Sequence, residues 1–370
     1  MNFKKIAIAA AAAAAATPAM AADLPVVAEP VNYVQACDAF GAGYFQLPGQ
    51  DTCVRVHGRI RTQWTSHDLT ESLSTANPYS TLARGYVYLE SMTATEMMSI
   101  KTYTELTASW DESSEDTLGM GDAYLQLGFD NVSVLLGRTG SVFNTFGGYS
   151  EIGVIGVTSG GEDTMQISAS TSLGNGFTAE FALEDAEAYG GAMNRSDFVG
   201  ALSVTQGMFT GNVSAAAHAF SNDEYGFAVA GSLEVAATDA VKFGFGATYA
   251  KDALAYAAGS ANNDILPIAE RLAIGEADEV GTTSYVIAAG VEVAATDKVT
   301  LALDGSYANY DIGSEIDFNQ TVVNGSIAYA PVAGMVIALD AGWTRVEAEV
   351  GSDDFDGDSA QVAARVQYSF

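Results

Sequence analysis

The chain has 370 residues and is strongly acidic, with 15 basic and 46 acidic residues and a formal net charge of −31. A field of that sign repels phosphate backbones, which argues against nucleic acid as a partner. Acidity alone would also suit a disordered chain, but 48% of the residues are hydrophobic and 17 tyrosines and 17 phenylalanines are present. With 38 glycines and 7 prolines, the composition is typical of a large β protein with many tight turns.

The first 21 residues have the composition of an export signal. Lys4 and Lys5 give a positively charged start, residues 6–16 form a short apolar run, and residues 19–21 (Ala-Met-Ala) fit a cleavage site. The apolar run is much shorter than the roughly 20 residues of a membrane-spanning helix, and no later apolar run approaches that length. We therefore predict a cleaved signal peptide at 1–21 and an exported mature chain.

Period-two alternation of apolar and polar side chains is the main structural signal after this segment. It is clear in 54–64 and again in 360–370, whose apolar face ends on Phe370, where a membrane barrel has an interfacial aromatic ring. A last strand avoids being an exposed edge only by pairing, and 54–64 is its natural partner, which predicts a closed barrel. The sixteen predicted strands are 54–64, 82–92, 98–110, 120–129, 132–138, 164–173, 177–184, 198–205, 210–219, 226–236, 241–250, 282–294, 299–310, 320–330, 335–348 and 360–370.

The connection lengths favour a membrane barrel over a soluble β-sandwich. Either fold gives strands with one apolar and one polar face, so a single strand does not distinguish them. Short turns such as 130–131 alternate with long polar segments, and the two ends of an outer-membrane barrel differ in this way. An exported sandwich or surface adhesin is the alternative, and it leaves this asymmetry unexplained. The predicted long segments are 65–81, 111–119, 139–163, 185–197, 251–281, 311–319 and 349–359.

The sequence contains no recognisable catalytic signature. His-Glu-x-x-His, Gly-x-Ser-x-Gly, phosphate-loop and dinucleotide patterns are all missing. His57 and His218 fall on predicted lumen-facing positions and are interpreted as polar lining residues, with a barrel hydrolase as a minor alternative. Residues 353–358 (Asp-Asp-Phe-Asp-Gly-Asp) lack the twelfth-position glutamate and the helices of an EF-hand, so we interpret them as a solvated acidic rim loop.

Two cysteines, Cys37 and Cys53, lie close together after the predicted signal. In an exported protein such a pair is more often a disulfide than a metal site. Zinc would need about four ligands, whereas the three histidines lie far apart in sequence. We predict a disulfide within the N-terminal segment 22–53, with two free thiols as the alternative.

Residues 37–58 combine a cysteine, a glycine-aromatic stretch, a Pro48-Gly49 turn, a second cysteine and a Val-Arg-Val-His-Gly strand. This order, with a second match around Gly137-Arg138, resembles the general porins of alphaproteobacterial outer membranes. The predicted fold is a sixteen-stranded antiparallel transmembrane β-barrel over 54–370, to which the resemblance adds a long inward-folding loop, with Phe370 as an assembly signal. The function implied is passive diffusion of small hydrophilic solutes and ions through a water-filled channel without a cofactor. The implied partners are two further copies of the chain in a homotrimer, outer-membrane lipid and the outer-membrane insertion machinery. A substrate-selective channel is an alternative function within the same class.

The connection 139–163 is the candidate functional segment, because a structureless connection of about 25 residues is long for a compact β protein. In the resembling porins the loop after the fifth strand folds inward and narrows the channel. Carried over, this assigns the acidic side of a constriction to Glu151, Glu162 and Asp163. The opposing basic wall would consist of Arg55, Arg59, Arg61, Arg84 and Arg138. Alternatively, these arginines neutralise lumen acids elsewhere. Because acid exceeds base over the chain, we expect weak cation selectivity.

Overall fold

The computed structural model describes residues 35–47, 49–67, 69–70, 79–111, 116–220, 224–258, 281–312, 316–351 and 353–370. The predicted signal peptide and the start of the segment 22–53 lie outside them. The helices within these ranges are two short 3-10 helices, Asp38–Phe40 and Ala186–Tyr189, and α1, Ala255–Ala258; none has the length and apolar character of a membrane span. The strands in these ranges are β1 Gln35–Ala36, β2 Phe45–Gln46, β3 Cys53–Ser66, β4 Tyr79–Ala94, β5 Ser99–Asp111, β6 Thr117–Gly128, β7 Val132–Gly140, β8 Asp163–Gly174, β9 Phe177–Asp185, β10 Ser196–Gln206, β11 Phe209–His218, β12 Gly226–Thr238, β13 Val241–Lys251, β14 Thr282–Thr296, β15 Val299–Ile312, β16 Ile316–Tyr329, β17 Met335–Val350 and β18 Asp353–Ser369.

Strands β3–β18 form a closed antiparallel barrel. Each pairs with its neighbours in sequence, and β18 also pairs with β3, from Val362 opposite Ser66 to Ser369 opposite Arg59. Each of the sixteen predicted strands corresponds to one strand of this barrel, so the predicted fold class is confirmed. Closure leaves the barrel without a free sheet edge, which a membrane-spanning sheet requires because lipid offers no hydrogen-bond partner.

Apolar residues cover the outside of the barrel and polar residues line the inside, as predicted. On β3, Val56, Ile60 and Trp64 are 53%, 52% and 47% exposed on the outer surface. Arg59 and Arg61 alternate with them and are half-buried on the inner face. The outer side chains face the position of lipid in a membrane barrel, which accounts for their large exposed apolar surface.

The two ends of the barrel differ, also as predicted. Tight turns join strands at one end, and the longest connections of the other end lie at 141–162 and 252–281. The turns after β12 and β14 share the sequence Ala-Ala-Thr-Asp, and each has a register shift, between Ala236 and Thr238 and between Ala294 and Thr296. The repeated sequence therefore marks a repeated bulged hairpin.

Two predicted long segments, 311–319 and 349–359, are wrong, and so is the rim loop at 353–358. Strands continue through most of these residues and leave connections of only 313–315 and 351–352. The acidic stretch is the beginning of β18. Its alternate residues Asp354 and Asp356 are exposed on the outer face, whereas Gly357 is buried. Residues 353–358 do alternate with a period of two, but so many acidic residues in a short stretch are typical of a solvated loop. Within the described ranges, no group of three or more His, Cys, Asp or Glu is placed to hold a metal ion.

Candidate functional site

The connection between β7 and β8, residues 141–162, folds against the inner wall of the barrel, and we call it the inner loop. The expectation that this connection turns inward is confirmed. Its hydrogen bonds reach β9, β11, β12 and β15–β18, so the inner loop follows the part of the wall that these strands form. The barrel side chains bonded to it are Glu184, Ser214, Glu234, Asp304, Ser306, Gln320, Ser326, Asp340, Arg365 and Gln367.

Phe146 brings the inner loop into close contact with the wall at β13. A Cβ atom at Gly244 would lie 2.0 Å from the Phe146 ring, and one at Gly246 would lie 2.7 Å from the Phe146 Cβ. Only glycine permits this approach, so the alternate glycines on the inner face of β13 create the space for the ring. Tyr149 packs edge-on against the same ring, with the centroids 5.1 Å apart.

Two buried aspartates hold the backbone of the inner loop. Asp304 Oδ1 accepts the N–H of Tyr149 at 2.9 Å, and Oδ2 accepts the N–H of Ser150 at 2.8 Å and its hydroxyl at 2.5 Å. Asp340 Oδ2 accepts the N–H groups of residues 152–153 at 3.1 and 2.8 Å. Both carboxylates are 3% exposed. Hydrogen bonds to an ionised acceptor are stronger than neutral ones, so these carboxylates fix the middle of the loop.

Glu151 lies between these anchors, where the inner loop reaches β18. Its carbonyl oxygen accepts from Arg365 Nη1 at 2.9 Å, and its Oε1 accepts from Gln367 Nε2 at 3.0 Å. Burial raises the pKa of the Glu151 carboxyl above its usual range, while Arg365, Arg61 and Arg59 act in the opposite direction. The carboxylate is therefore within electrostatic range of the predicted basic residues on β3.

Three of the predicted basic residues converge on one tyrosine ring. The Cζ atoms of Arg59, Arg61 and Arg84 lie 3.9, 5.5 and 6.0 Å from the Tyr86 ring centroid. Cations at this distance are attracted by the face of an aromatic ring. We call Arg59, Arg61 and Arg84 the arginine cluster. It lies on β3 and β4. Strand β3 pairs with β18, where Arg365 and Gln367 bond Glu151 of the inner loop.

The other two predicted basic residues are elsewhere and pair with acids. Arg55 Nη1 lies 3.6 Å from Glu90 Oε1, and Arg138 Nη1 lies 3.3 Å from Asp163 Oδ2. Glu162, at the end of the inner loop, donates its backbone N–H to the Tyr189 hydroxyl at 3.0 Å. Arg55 and Arg138 thus each pair with an acid of the barrel wall, and Asp163 acts electrostatically on Glu105 and Asp122.

Sequence reasoning missed several charged residues of this site. Arg365 is 9% exposed and contacts Gln63 and the inner loop. Glu105 interacts electrostatically with Asp122 and with the arginine cluster, and it lies at a register shift between β5 and β6. Alternation places Arg365 and Glu105 on polar strand faces without distinguishing them from the other lining residues, and Asp122 shares its face with Leu118 and Met120.

The two histidines have different positions. His57 lines the inner wall as predicted: its ring stacks on Tyr88 at 4.7 Å, and its Nε2 lies 2.9 Å from Glu90 Oε1. His218 lies on the inner face of β11, as predicted, but it is 0% exposed and therefore does not line the open lumen. Its Nδ1 lies 2.7 Å from Asp197 Oδ2, which also accepts a hydrogen bond from the Tyr256 hydroxyl at 2.8 Å.

The N-terminal segment folds onto the inner face at the tight-turn end. The predicted disulfide between Cys37 and Cys53 is confirmed. Within the segment, the Tyr44 hydroxyl donates to Glu90 Oε2 at 2.6 Å, and burial raises the pKa of Tyr44 to about 12. Tyr44 therefore remains a hydrogen-bond donor at physiological pH and ties this segment to the lumen wall.

Comparison with known proteins agrees with this architecture. A family model described as "Porin subfamily" matches residues 23–368. Porin Omp2b of Brucella suis biovar 1 (strain 1330) is 37% identical over 201 residues, which cover 50% of this chain and 54% of that protein. Porin Omp2b of Brucella canis has the same identity and coverage. The chain thus spans about half the length of the curated relatives that it matches.

Solved structures show a similar fold at low sequence identity. The outer membrane channel DcaP of Acinetobacter baumannii has a TM-score of 0.68 at 14% identity, covering 86% of this chain and 97% of that one. OmpT of Vibrio cholerae, folded in vitro and described as a trimer form, has a TM-score of 0.60 at 9% identity, covering 87% and 100%. The anion-selective porin from Comamonas acidovorans has a TM-score of 0.56 at 11% identity, covering 86% and 100%.

Proposed function

The chain belongs to the porin subfamily, and from this premise we propose that it forms a water-filled channel for passive diffusion of small hydrophilic solutes and ions. The family places it in the outer membrane as an integral β-barrel, among channel proteins rather than enzymes. The observation that carries the proposal is the inner loop, which lies inside a polar-lined barrel and narrows it on one side. No energy source or cofactor is needed for this function.

The charges beside the narrowed lumen support weak cation selectivity. Glu151, Glu105 and Asp122 supply negative charge, and the arginine cluster opposes it at short range. Close charges in a narrow channel act more strongly than distant loop charges, which salt screens beyond about 8 Å. Because both signs are present near the opening, the net preference is small, and the acidic excess of the chain sets its sign.

A homotrimer in contact with outer-membrane lipid, inserted by the outer-membrane assembly machinery, is the proposed working form. The support is the structural similarity to a Vibrio cholerae protein described as a trimer and the broad apolar outer surface of the barrel. Such a surface is stable only against lipid or another apolar surface.

Recording from single channels in a planar lipid bilayer tests the proposed function. We expect discrete, ohmic conductance steps from purified native protein and none from a heat-denatured sample of the same preparation. Swelling of protein-loaded liposomes in sugars of increasing size should then give a permeability that falls with solute size. Native protein that inserts into bilayers and gives no conductance would contradict the proposal.

A further inference from the structure

The arginine cluster is poorly neutralised by the protein itself. Arg59 and Arg61 make no hydrogen bond or ion pair within the described part of the chain, and the Nε atom of each is buried without a partner there. Among the residues that the structure describes, Arg84 donates only to the neutral hydroxyl of Ser109, at 2.7 Å. The three arginines lack an acidic partner among the described residues although the chain has 46 acidic and only 15 basic residues. Such an arrangement is unfavourable, because like charges repel and half-buried guanidinium groups lose hydration.

Two acids, Glu151 and Glu105, act electrostatically on Arg59 and Arg61 without pairing with them among the described residues. The Glu151 carboxylate accepts a hydrogen bond from Gln367, and its carbonyl oxygen accepts one from Arg365. Glu105 packs its carboxyl group against Gly121 on β6, where a Cβ would lie 2.9 Å from it. Neither forms an ion pair with the cluster among the described residues, although both interact with it at longer range.

Geometry and chemistry point to an anionic ligand with several oxygen acceptors. A guanidinium group presents five N–H donors in a planar fork that matches carboxylate, phosphate and sulfate oxygens bidentately. Tyr86 holds the Arg59 guanidinium against its ring face, 3.9 Å from the centroid, which limits its movement before a ligand arrives. A tetrahedral oxyanion has enough acceptors to bond more than one of these groups at once.

We propose that the arginine cluster is a discrete oxyanion-binding site in the channel, which takes phosphate or sulfate groups as they pass. This inference rests on the proposed channel function and specifies one class of solute for it. An oxyanion held there neutralises the cluster and occupies part of the lumen. Binding therefore lowers conductance and increases the preference for cations while the site is filled.

Inorganic phosphate is the probe for this site. Reversal potential and conductance of the native protein are measured in a KCl gradient while phosphate replaces chloride at constant ionic strength. We expect a saturable fall in conductance and a shift toward cation preference. In the double variant Arg59→Ser/Arg61→Ser the apparent affinity for phosphate should fall by about tenfold or more, because charge-assisted hydrogen bonds are lost. Arg59→Lys/Arg61→Lys keeps the charge without the planar fork and should give an intermediate affinity.

Arg345→Ser is the matched control, because Arg345 is exposed and paired with Glu347 and Asp356. In this variant, phosphate should lower the conductance with the same apparent affinity as in the native protein. If native channels conduct but phosphate has no saturable effect, or the same effect in the double variant, the oxyanion site is overturned while the channel stands. If the native protein does not conduct, the proposed function fails instead, and equilibrium dialysis of labelled phosphate against detergent-solubilised native protein and the two variants decides the site. Heat resistance of each variant confirms folding, and Arg84→Ser provides a second test if the double variant does not fold.

Discussion

Gly58 and Phe370 exchange two backbone hydrogen bonds at the seam of the barrel. The Gly58 N–H donates to the Phe370 carbonyl at 2.9 Å, and the Phe370 N–H donates to the Gly58 carbonyl at 3.0 Å. The Phe370 ring lies over Gly58, where a Cβ atom would come within 2.8 Å of the ring Cζ. Phe370 thus continues the pairing of β3 and β18 by one residue beyond Ser369, which lies opposite Arg59.

Replacing Phe370 with aspartate should impair assembly. The ring is lost from Gly58, and a charge is placed on the outer face of β18, where apolar side chains face lipid. A seam that closes poorly leaves unpaired backbone groups in lipid, and each such group costs several kcal/mol. A few of them together equal the net stability of a typical domain, about 5–15 kcal/mol. The measurement is the yield of heat-resistant, membrane-inserted protein. Phe370→Trp is the control and should assemble; normal yields of Phe370→Asp would contradict the role of the ring.

Replacing Asp304 with alanine should loosen the inner loop. Tyr149 and Ser150 then lose the acceptor of their backbone N–H groups, and each unsatisfied buried donor costs about 1–3 kcal/mol. We expect noisier single-channel currents and faster proteolysis within the inner loop, with the barrel still heat-resistant. Asp239→Ala, at an exposed tight turn, is the control. Currents as steady as those of the native protein would show that the remaining contacts of the inner loop, those of Asp340 among them, are sufficient.

Replacing Cys37 and Cys53 with serine should release the N-terminal segment without opening the barrel. Closing a loop of this length stabilises by roughly 3 kcal/mol in the chain-entropy model, and both cysteines lie at or before the start of β3. Limited proteolysis should cut the variant between these positions, while its heat resistance stays near native. Peptide mapping without reductant gives an independent check, since native protein with two free thiols is incompatible with the structure.

Acidification should reduce the cation preference of the channel by protonating Glu151. This change should occur at a higher pH than the protonation of an exposed glutamate. Burial raises the Glu151 pKa above the ordinary 4.5, so between the two values Glu151 is protonated while an exposed glutamate is still charged. Falling pH therefore removes negative charge beside the arginine cluster in that window. Reversal potentials of the native protein and Glu151→Gln are compared across pH. Their difference should shrink as pH falls through the window, and identical curves at neutral pH would exclude Glu151 from the conducting region.

The strands were predictable from sequence because alternation is a local property. Stretches 54–64 and 360–370 indicated both the first and the last strand, and their pairing followed from the need to remove a free edge. The start of β18 was not predictable in the same way, since its period of two is carried by Asp354, Asp356 and Asp358 in a run that resembles a solvated loop.

The arrangement of the site depends on contacts that sequence does not contain. The loop anchors Asp304 and Asp340 lie 155 and 188 positions from the backbone groups that they bind. Likewise, Arg59 and Arg84 meet at Tyr86 only because of the register between β3 and β4, in which Arg59 is opposite Tyr86. The sequence offered candidate charged residues, but which of them converge, and which pair as Arg138 and Asp163 do, follows only from the structure.

Replacing Arg59 and Arg61 with serine should strengthen cation preference and alter conductance in monovalent salt. The net charge of −31 favours cations, but most of that charge is distant and is screened at physiological salt beyond about 8 Å. An anion in the narrowed lumen meets the arginine cluster at short range, where the interaction is largest. Replacing Arg59 and Arg61 removes two of the arginines that act electrostatically on Glu151, while Arg365 remains. Reversal potentials in a KCl gradient measure the change, with Arg345→Ser as the control. If the double variant equals the native protein in both selectivity and conductance, these arginines do not line the narrow part of the channel.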